Sequence, residues 1–347
     1  MAKLLRAALA AGAVTALALT ATPANAADPG GLPFPAATGV GVHNSYEKAT
    51  FPYFADALDS GAGMLEIDVW TNVFGASWRV SHSNPVGNDN NCANATNTAQ
   101  LRTNAKNRDL AGCLSDIKVW HDANPGHRPI VLKLEMKDGF LGTSGRGPAA
   151  LDALLGSKLG DALYRPADLV GGHSDLDTAV RAGAWPTRSQ LAGKFIVELI
   201  PGTVEESNPL DTLWTDREYA MYLRDLKAAG RLGEAAAFPA VHNAAAGDPR
   251  TRYTDAGIRP WFVFFDGDAS AYAAAGFDTS WYAQRNYYLL MTDAHNVAPA
   301  IDGTNPTEQQ ARDRLDLLAG RNASLISADW RALTTVLATV VPRGAAG

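Results

Sequence analysis

Short apolar segments rich in β-branched and aromatic residues alternate along this chain with longer Ala- and Leu-rich segments of helical spacing. The short segments predict strands, at residues 39–43, 64–70, 129–137, 194–200, 239–243, 261–266, 287–293 and 324–329. The segments between them predict helices, at residues 51–61, 114–124, 149–159, 178–191, 215–231, 270–283 and 307–318.

Strands that alternate with helices indicate parallel βαβ units. Eight predicted strands in a chain of 347 residues indicate an α/β fold, namely a single, irregular (β/α)8 TIM-type barrel. A doubly wound sheet is the main rival. It is disfavoured because no glycine-rich G-x-G-x-x-G turn follows the first predicted strand.

Polar residues gather at the predicted carboxyl ends of the strands, where a barrel of this class carries its functional site. They are His43, Asn44, Glu66, Asp68, Glu135, Glu198, Asp266, Asp293 and Asp329. Glu66 and Asp68 are two residues apart, so they face the same side of one strand, and Lys133, Glu135 and Lys137 share a face of the next. Charges on a covered strand are costly unless they are paired or bind a metal. The pattern therefore predicts a polar site inside the barrel mouth.

Two histidines flank the predicted strand 64–70: His43 precedes it, and His82 lies fourteen residues after Asp68. Imidazole has an ordinary pKa of ~6.5, so two imidazoles on opposite sides of a phosphodiester suit the roles of base and acid. Carboxylate and amide oxygens suit a hard cation, and we expect Ca²⁺. The candidate ligands are Asn44, Glu66, Asp68 and Glu135. Zinc is disfavoured because acids outnumber nearby imidazoles and there is no H-x-x-x-H helix.

The N-terminus has the pattern of a secretory signal peptide. Lys3 and Arg6 precede an uncharged apolar run over residues 7–20, and residues 24–26 form a small-residue A-x-A site. We therefore predict a signal peptide over residues 1–26, a single barrel domain over residues 27–347, and secretion into the extracellular space. No later segment approaches the ~20 uninterrupted apolar residues that a membrane span needs.

Secretion changes the interpretation of the only two cysteines, Cys92 and Cys113. In an oxidising compartment we expect them to form a disulfide that closes a polar loop, in preference to a reactive thiol.

The formal net charge of −6 offers no broad basic surface, so we expect no nucleic-acid partner.

The motifs HNSY, LEIDVW, SHSNP and LKLEMK, taken together, resemble the phosphatidylinositol-specific phospholipase C family, in particular its secreted, calcium-dependent bacterial branch. The resemblance runs from about residue 38 to the C-terminal ISADW and implies a PLC-like phosphodiesterase barrel. It implies that His43 and His82 are the two catalytic histidines. It implies calcium ligation by Asn44, Glu66, Asp68 and Glu135. Calcium-independent bacterial members carry an arginine where the metal sits, and this chain departs from them.

The implied reaction is attack of an inositol hydroxyl on the adjacent phosphorus, which releases diacylglycerol and forms a cyclic inositol phosphate. We leave open which histidine is base and which acid. Lys133 and Lys137 share the face of Glu135, so they either contact phosphate or ring hydroxyls or balance charge. The substrate would be membrane phosphatidylinositol reached by peripheral contact, and we expect a monomer.

Two alternatives remain open. Glycerophosphodiester phosphodiesterases share the barrel and an E-x-D strand followed by a histidine, but they open with a His-Arg-Gly turn where this chain has His43-Asn44-Ser45. A catalytically inactive, calcium-dependent phospholipid-binding module would lack one of the two histidines, and both are present here.

Overall fold

The structure is a computed structural model that describes residues 29–71, 75, 77–243 and 245–344. The predicted signal peptide, residues 1–26, lies outside the described residues. The predicted barrel domain is described except for the gaps just given and its terminal residues 27–28 and 345–347. In the described part of the chain, no helix is both long enough and apolar enough to cross a membrane.

Eight parallel strands close into a barrel, as the sequence pattern predicts, and two short antiparallel strands flank it. The described residues form β1 Ala37–Val42, β2 Met64–Trp70, β3 Arg79–Val80, β4 Ile130–Met136, β5 Phe195–Pro201, β6 Ala237–His242, β7 Phe264–Asp268, β8 Tyr288–Thr292, β9 Leu325–Ala328 and β10 Val341–Pro342. The order around the barrel is β1, β2, β4, β5, β6, β7, β8 and β9, and β9 pairs with β1. A (β/α)8 TIM-type barrel is thereby confirmed.

The barrel is irregular where β1 meets β2. These strands pair only at Gly41–Met64 and Val42–Leu65, whereas β2 and β4 pair over six residues. Beyond that short contact, β3 pairs antiparallel with the carboxyl end of β2. A Cβ on Gly41 would lie 2.9 Å from the Met64 Cβ, so glycine permits the close approach of the two strands. The seam opens toward the carboxyl end of the barrel, next to His43.

Helices cover the outside of the barrel. The described helices are α1 Phe54–Asp59, α2 Leu110–Ala123, α3 Pro148–Leu159, α4 Pro166–Val170, α5 Leu176–Arg181, α6 Thr203–Glu206, α7 Thr215–Ala228, α8 Ala269–Ala273, α9 Ser280–Ala283, α10 Glu308–Gly320 and α11 Thr334–Leu337. Two predicted helices are wrong in extent. The segment 178–191 stops being helical at Arg181, before Gly183 at φ +81° and Pro186. The segment 270–283 is split into α8 and α9 around Gly276, at φ +83°.

Charged side chains occupy the middle of the barrel. Glu66, Lys133 and Glu198 lie side by side in the register of β2, β4 and β5, and Asp266 on β7 completes the group. All four are buried. The Lys133 ammonium lies 3.2 Å from Glu66 Oε1 and 2.8 Å from Asp266 Oδ2. Burial, followed by the charge of Asp266, raises the pKa of Glu198 well above its usual value, which favours a neutral carboxyl there.

The disulfide prediction is confirmed. Cys92 and Cys113 are bonded and both are buried. Cys113 lies in α2, so the bond ties the loop that follows His82 to the outer layer of helices.

Candidate active site

A cavity of about 200 Å³ opens at the carboxyl end of the barrel. Its lining includes His43, Glu66, Lys133, Glu135, Thr203, His242, Asp266, Thr292, Asp293 and Ser327. These residues come from β1, β2, β4 to β9 or the segments that directly follow them. Several of the polar residues predicted at strand ends thus line one cavity, because the carboxyl ends of parallel strands meet there.

His43 follows the last residue of β1 and is held between two acids. Its Nδ1 lies 3.2 Å from Asp329 Oδ1, just after β9, and its Nε2 lies 3.4 Å from Glu66 Oε2. Burial alone would lower the pKa of His43, but the charge of Glu66 and the hydrogen bond and charge of Asp329 raise it to about 9. The imidazole is consequently a cation at neutral pH.

Asn44 turns the chain directly after His43. Its φ of +50° places it in the left-handed region, which asparagine tolerates better than most residues. Its backbone N–H donates to Glu66 Oε2 at 3.1 Å, while its side-chain Oδ1 is buried and accepts no hydrogen bond. A buried amide oxygen without a donor is costly, and it is the kind of atom that a hard cation binds.

Glu66 and Asp68 share the interior face of β2, as their spacing predicts, but differ in ionisation. Burial alone would raise the pKa of Glu66. The charges of Lys133 and His43 have the larger effect and lower this pKa to about 2. Burial and the neighbouring Glu135 and Glu66 raise the pKa of Asp68 to about 8. Lys137, whose ammonium lies 3.2 Å from Asp68 Oδ2, offsets this rise only in part.

Lys137 stands between two of the predicted calcium ligands. Its ammonium lies 2.7 Å from Glu135 Oε1 and 3.2 Å from Asp68 Oδ2, and the side chain is buried. One of the two roles that the sequence left open for Lys133 and Lys137 was to balance nearby acids. Both lysines form such ion pairs. Contact of either lysine with substrate stays a prediction, and Lys133 lines the cavity where such contact would occur.

The residues present fit a hard cation by chemistry: the donors are all oxygens, and Asn44 Oδ1 is buried without a hydrogen-bond donor. Among the described residues, no three His, Cys, Asp or Glu side chains already form a metal-binding group. The acids instead contact lysines, since Glu66 pairs with Lys133 and Glu135 pairs with Lys137. A bound cation would therefore compete with an ammonium group of the protein.

His82 lies apart from the cavity that His43 lines. It is exposed, its Nδ1 is 3.0 Å from Ser83 Oγ, and it lines a separate pocket on the rim with Glu47 and Lys48. Both histidines lie near the β1–β2 seam, but the structure does not bring them into one cavity.

His242, to which the sequence assigned no partner, lies in the cavity at the end of β6. Its Nδ1 is 2.7 Å from Glu206 Oε1 of α6. A signal for it was present in the sequence, because His242-Asn243 ends a predicted strand as His43-Asn44 does. Glu206 carries no comparable signal, since its approach to His242 depends on how α6 is placed.

Comparisons with known proteins agree with this geometry. Residues 53–221 match the family model described as "Phosphoinositide phospholipase C, Ca2+-dependent". A calcium-dependent phosphatidylinositol-specific phospholipase C from Streptomyces antibioticus is 62% identical, with 90% of this chain and 99% of that chain covered and a TM-score of 0.89. A calcium-dependent phosphoinositol-specific phospholipase C from a Pseudomonas species is 23% identical, covers 90% of this chain and 96% of its own, and has a TM-score of 0.67, which shows a shared fold. A search of curated proteins found no match.

The Lys133 ion pairs generate a stability prediction. Replacement of Lys133 by Met leaves Glu66 and Asp266 buried without their cation, so we expect the free energy of unfolding to fall by about 3–5 kcal/mol. Urea denaturation measures it. The matched control is Lys48→Met, whose exposed partner Asp89 lies 2.5 Å away, and we expect about 1 kcal/mol or less there. Equal losses in the two variants would show that burial adds nothing to the Lys133 pairs.

Proposed function

Because the chain belongs to the calcium-dependent phosphoinositide phospholipase C family, we propose that it cleaves phosphatidylinositol between phosphorus and the glycerol oxygen. The observation that carries this proposal is the 62% identity to a phospholipase of this specificity over 99% of that protein's length. The site geometry supports it, with a cationic imidazole and a set of oxygen donors at one cavity.

An inositol hydroxyl attacks the adjacent phosphorus and forms a cyclic phosphate, while the bond from phosphorus to the glycerol oxygen breaks. One proton leaves the attacking hydroxyl, and one reaches the departing diacylglycerol alkoxide, so the step needs a base and an acid. We assign these transfers to His43 and His82. Asp329 and Glu66 favour the imidazolium form of His43, which suits a proton donor or a contact to a phosphate oxygen.

We assign calcium to Asn44, Glu66, Asp68 and Glu135. When bound, Ca²⁺ would neutralise phosphate charge and lower the pKa of a coordinated hydroxyl. The protein's part is to hold these oxygens: the Asn44 N–H donates to Glu66 Oε2, and the Thr203 N–H donates to Glu135 Oε1 at 3.2 Å.

Family membership favours this reaction over glycerophosphodiester hydrolysis. Retention of both histidines favours an enzyme over an inactive binding module.

We further propose that the protein is secreted after removal of residues 1–26 and meets its lipid by peripheral contact as a monomer. Large apolar side chains are exposed in the segments that follow β3 and β5: Val86 is 68% exposed, Val204 in α6 42% and Leu210 90%. Since the net charge is −6, long-range attraction to an anionic membrane does not support binding. Apolar contact around the cavity is the remaining physical means of attachment.

The reaction can be followed by phosphorus NMR on phosphatidylinositol in detergent micelles. We expect a cyclic inositol phosphate signal that disappears when a chelator removes Ca²⁺. His43→Ala and His82→Ala should each reduce the rate by about 10²–10⁴-fold, because each removes one proton transfer.

The outcomes separate the parts of this proposal. Near-intact rates in both histidine variants would refute the two-histidine mechanism, and full activity in chelator would refute the calcium assignment alone. Cleavage of glycerophosphocholine without cleavage of phosphatidylinositol would replace the substrate class.

Calcium affinity is expected to respond to Lys137. In Lys137→Gln the ammonium no longer competes for Asp68 and Glu135, so the dissociation constant for Ca²⁺ should fall about tenfold, equivalent to ~1.4 kcal/mol. Isothermal titration calorimetry without substrate measures it. Lys118→Gln, on α2 and paired with Asp122 at 2.5 Å, is the control and should not change the constant. Unchanged or weaker binding in Lys137→Gln would contradict competition.

Membrane contact is expected to depend on the exposed apolar residues. Leu210→Asp should reduce hydrolysis of phosphatidylinositol in vesicles about 30-fold, because burying a Leu side chain at a lipid surface contributes about 2 kcal/mol. Hydrolysis of a water-soluble short-chain analogue should be unchanged. The control is Leu317→Asp on the outer helix α10, where Leu317 is 43% exposed. Equal losses on vesicles and on the soluble analogue would place Leu210 outside the membrane contact.

A further inference from the structure

His242 and His43 face each other across the cavity. With eight strands in the order given above, β1 and β6 are four positions apart in either direction, so their carboxyl ends are diametrically opposite. His43 directly follows β1 and His242 ends β6, and both line the same cavity. His82, in contrast, lies on the His43 side of the mouth, in its separate pocket.

The two sites are built in the same way. Each histidine is followed by an asparagine in the left-handed region, Asn44 at φ +50° and Asn243 at φ +69°. Each imidazole presents Nδ1 to a carboxylate from a neighbouring segment, Asp329 for His43 at 3.2 Å and Glu206 for His242 at 2.7 Å. This repeated arrangement places an oriented imidazole on both sides of the cavity.

Glu206 determines which nitrogen of His242 is available. An ionised carboxylate only accepts hydrogen bonds, so Nδ1–H donates to Glu206 and Nε2, on the far side of the ring, is left for a ligand. The side chains of both residues are 23% exposed. The contact fixes the ring without closing it off from the cavity.

Neighbouring acids raise the pKa of His242 as they raise that of His43. Burial lowers the pKa of His242, but the Glu206 hydrogen bond and the charges of Asp266 and Glu206 raise it above its ordinary value, against a smaller opposing effect of Lys133. From the following segment, Arg252 reaches the His242 carbonyl oxygen. Thr292, the last residue of β8, and Asp293, which follows it, line the cavity on the same side.

A phosphate and a polyol ring would therefore prefer different halves of this cavity. The half near β1, β2 and β4 holds the proposed cation ligands, where a phosphate is stabilised. The half near β6 to β8 has Asp266 and Asp293 in its wall and Glu206 bonded to His242, and carboxylate oxygens accept hydrogen bonds from hydroxyls. A neutral, hydroxyl-rich ring suits that half.

We propose that His242, positioned by Glu206, is a specificity-determining residue whose Nε2 hydrogen-bonds a ring hydroxyl of the head group, opposite His43. This inference rests on the proposed function. His242 would contact substrate directly, and Glu206 is a positioning residue that acts through it.

The test compares a neutral ring with an anion. His242→Asn retains a donor near the position of Nδ1 for Glu206 and removes Nε2. We expect the dissociation constant for myo-inositol, measured by NMR titration, to rise about tenfold, equivalent to the ~1.4 kcal/mol of one hydrogen bond. The constant for inorganic phosphate should stay within about twofold, and kcat/KM on phosphatidylinositol should fall about tenfold. His121→Asn, in α2 at the other end of the barrel, is the control and should change neither constant.

Glu206→Gln tests the positioning role and does not depend on the stability of His242→Asn. It keeps a hydrogen-bonding group but removes the charge, so the pKa of His242, followed by its ring-proton NMR shift, should move down. Binding of myo-inositol should weaken as well. A lowered pKa with wild-type binding of myo-inositol would show that Glu206 does not position His242 for the ring.

The outcomes are distinguishable. Wild-type binding of myo-inositol and unchanged kcat/KM in His242→Asn would overturn the inference while the proposed function stands. Loss of phosphate binding with intact myo-inositol binding would also overturn it, because His242 would then face the phosphate. If the wild-type protein cleaves no phosphatidylinositol yet binds myo-inositol in a His242-dependent way, the proposed function fails and the ring contact stands. If the wild-type protein does neither, both fail.

Discussion

The ion pairs of Lys133 inside the barrel are the interaction on which the rest of the site depends. A (β/α)8 barrel normally fills its interior with branched apolar side chains, and here one ammonium contacts Glu66 and Asp266 from two different strands. Charges removed from water are tolerated only when they are balanced nearby. Lys133 provides that balance, and it keeps Glu66 ionised at the base of the cavity.

The ionisation of the acids near the cavity mouth follows from the Lys133 ion pairs. Glu66, ionised, accepts the Asn44 N–H and lies close to His43, so it links the turn after β1 to the barrel interior. Asp68, two residues further along β2, is buried beside Glu135, and burial followed by repulsion from Glu135 raises its pKa. Lys137 partly relieves that repulsion. Ionisation of Asp68 would therefore add a negative charge that Lys137 only partly balances, and a divalent cation would relieve that repulsion.

The irregular seam between β1 and β2 gives this side of the mouth its shape. Pairing of only two residues lets the strands separate, and β3 occupies the edge of β2 that β1 leaves. His43 and Asn44 lie at the point of separation, and the loop that carries His82 returns beside them. The opposite wall, from β5 to β8, stays continuously paired and presents His242 from a regular strand. One side of the cavity is thus formed by loops and the other by strand ends.

The sequence by itself determined the barrel, the end at which its polar residues gather, the shared face of Glu66 and Asp68 and the pairing of the two cysteines. These features follow from the hydrophobic periodicity, from the spacing of residues along a strand and from the predicted oxidising compartment. All three can be read from the chain without knowledge of its packing. Only the tertiary structure decided that Lys133 contacts Asp266, that His82 and His43 line different pockets, and that Glu206 orients His242. The residues of these three pairs are 133, 39 and 36 positions apart along the chain. Their distances depend on strand register, barrel closure and the placement of short helices, none of which hydrophobic spacing along the chain specifies.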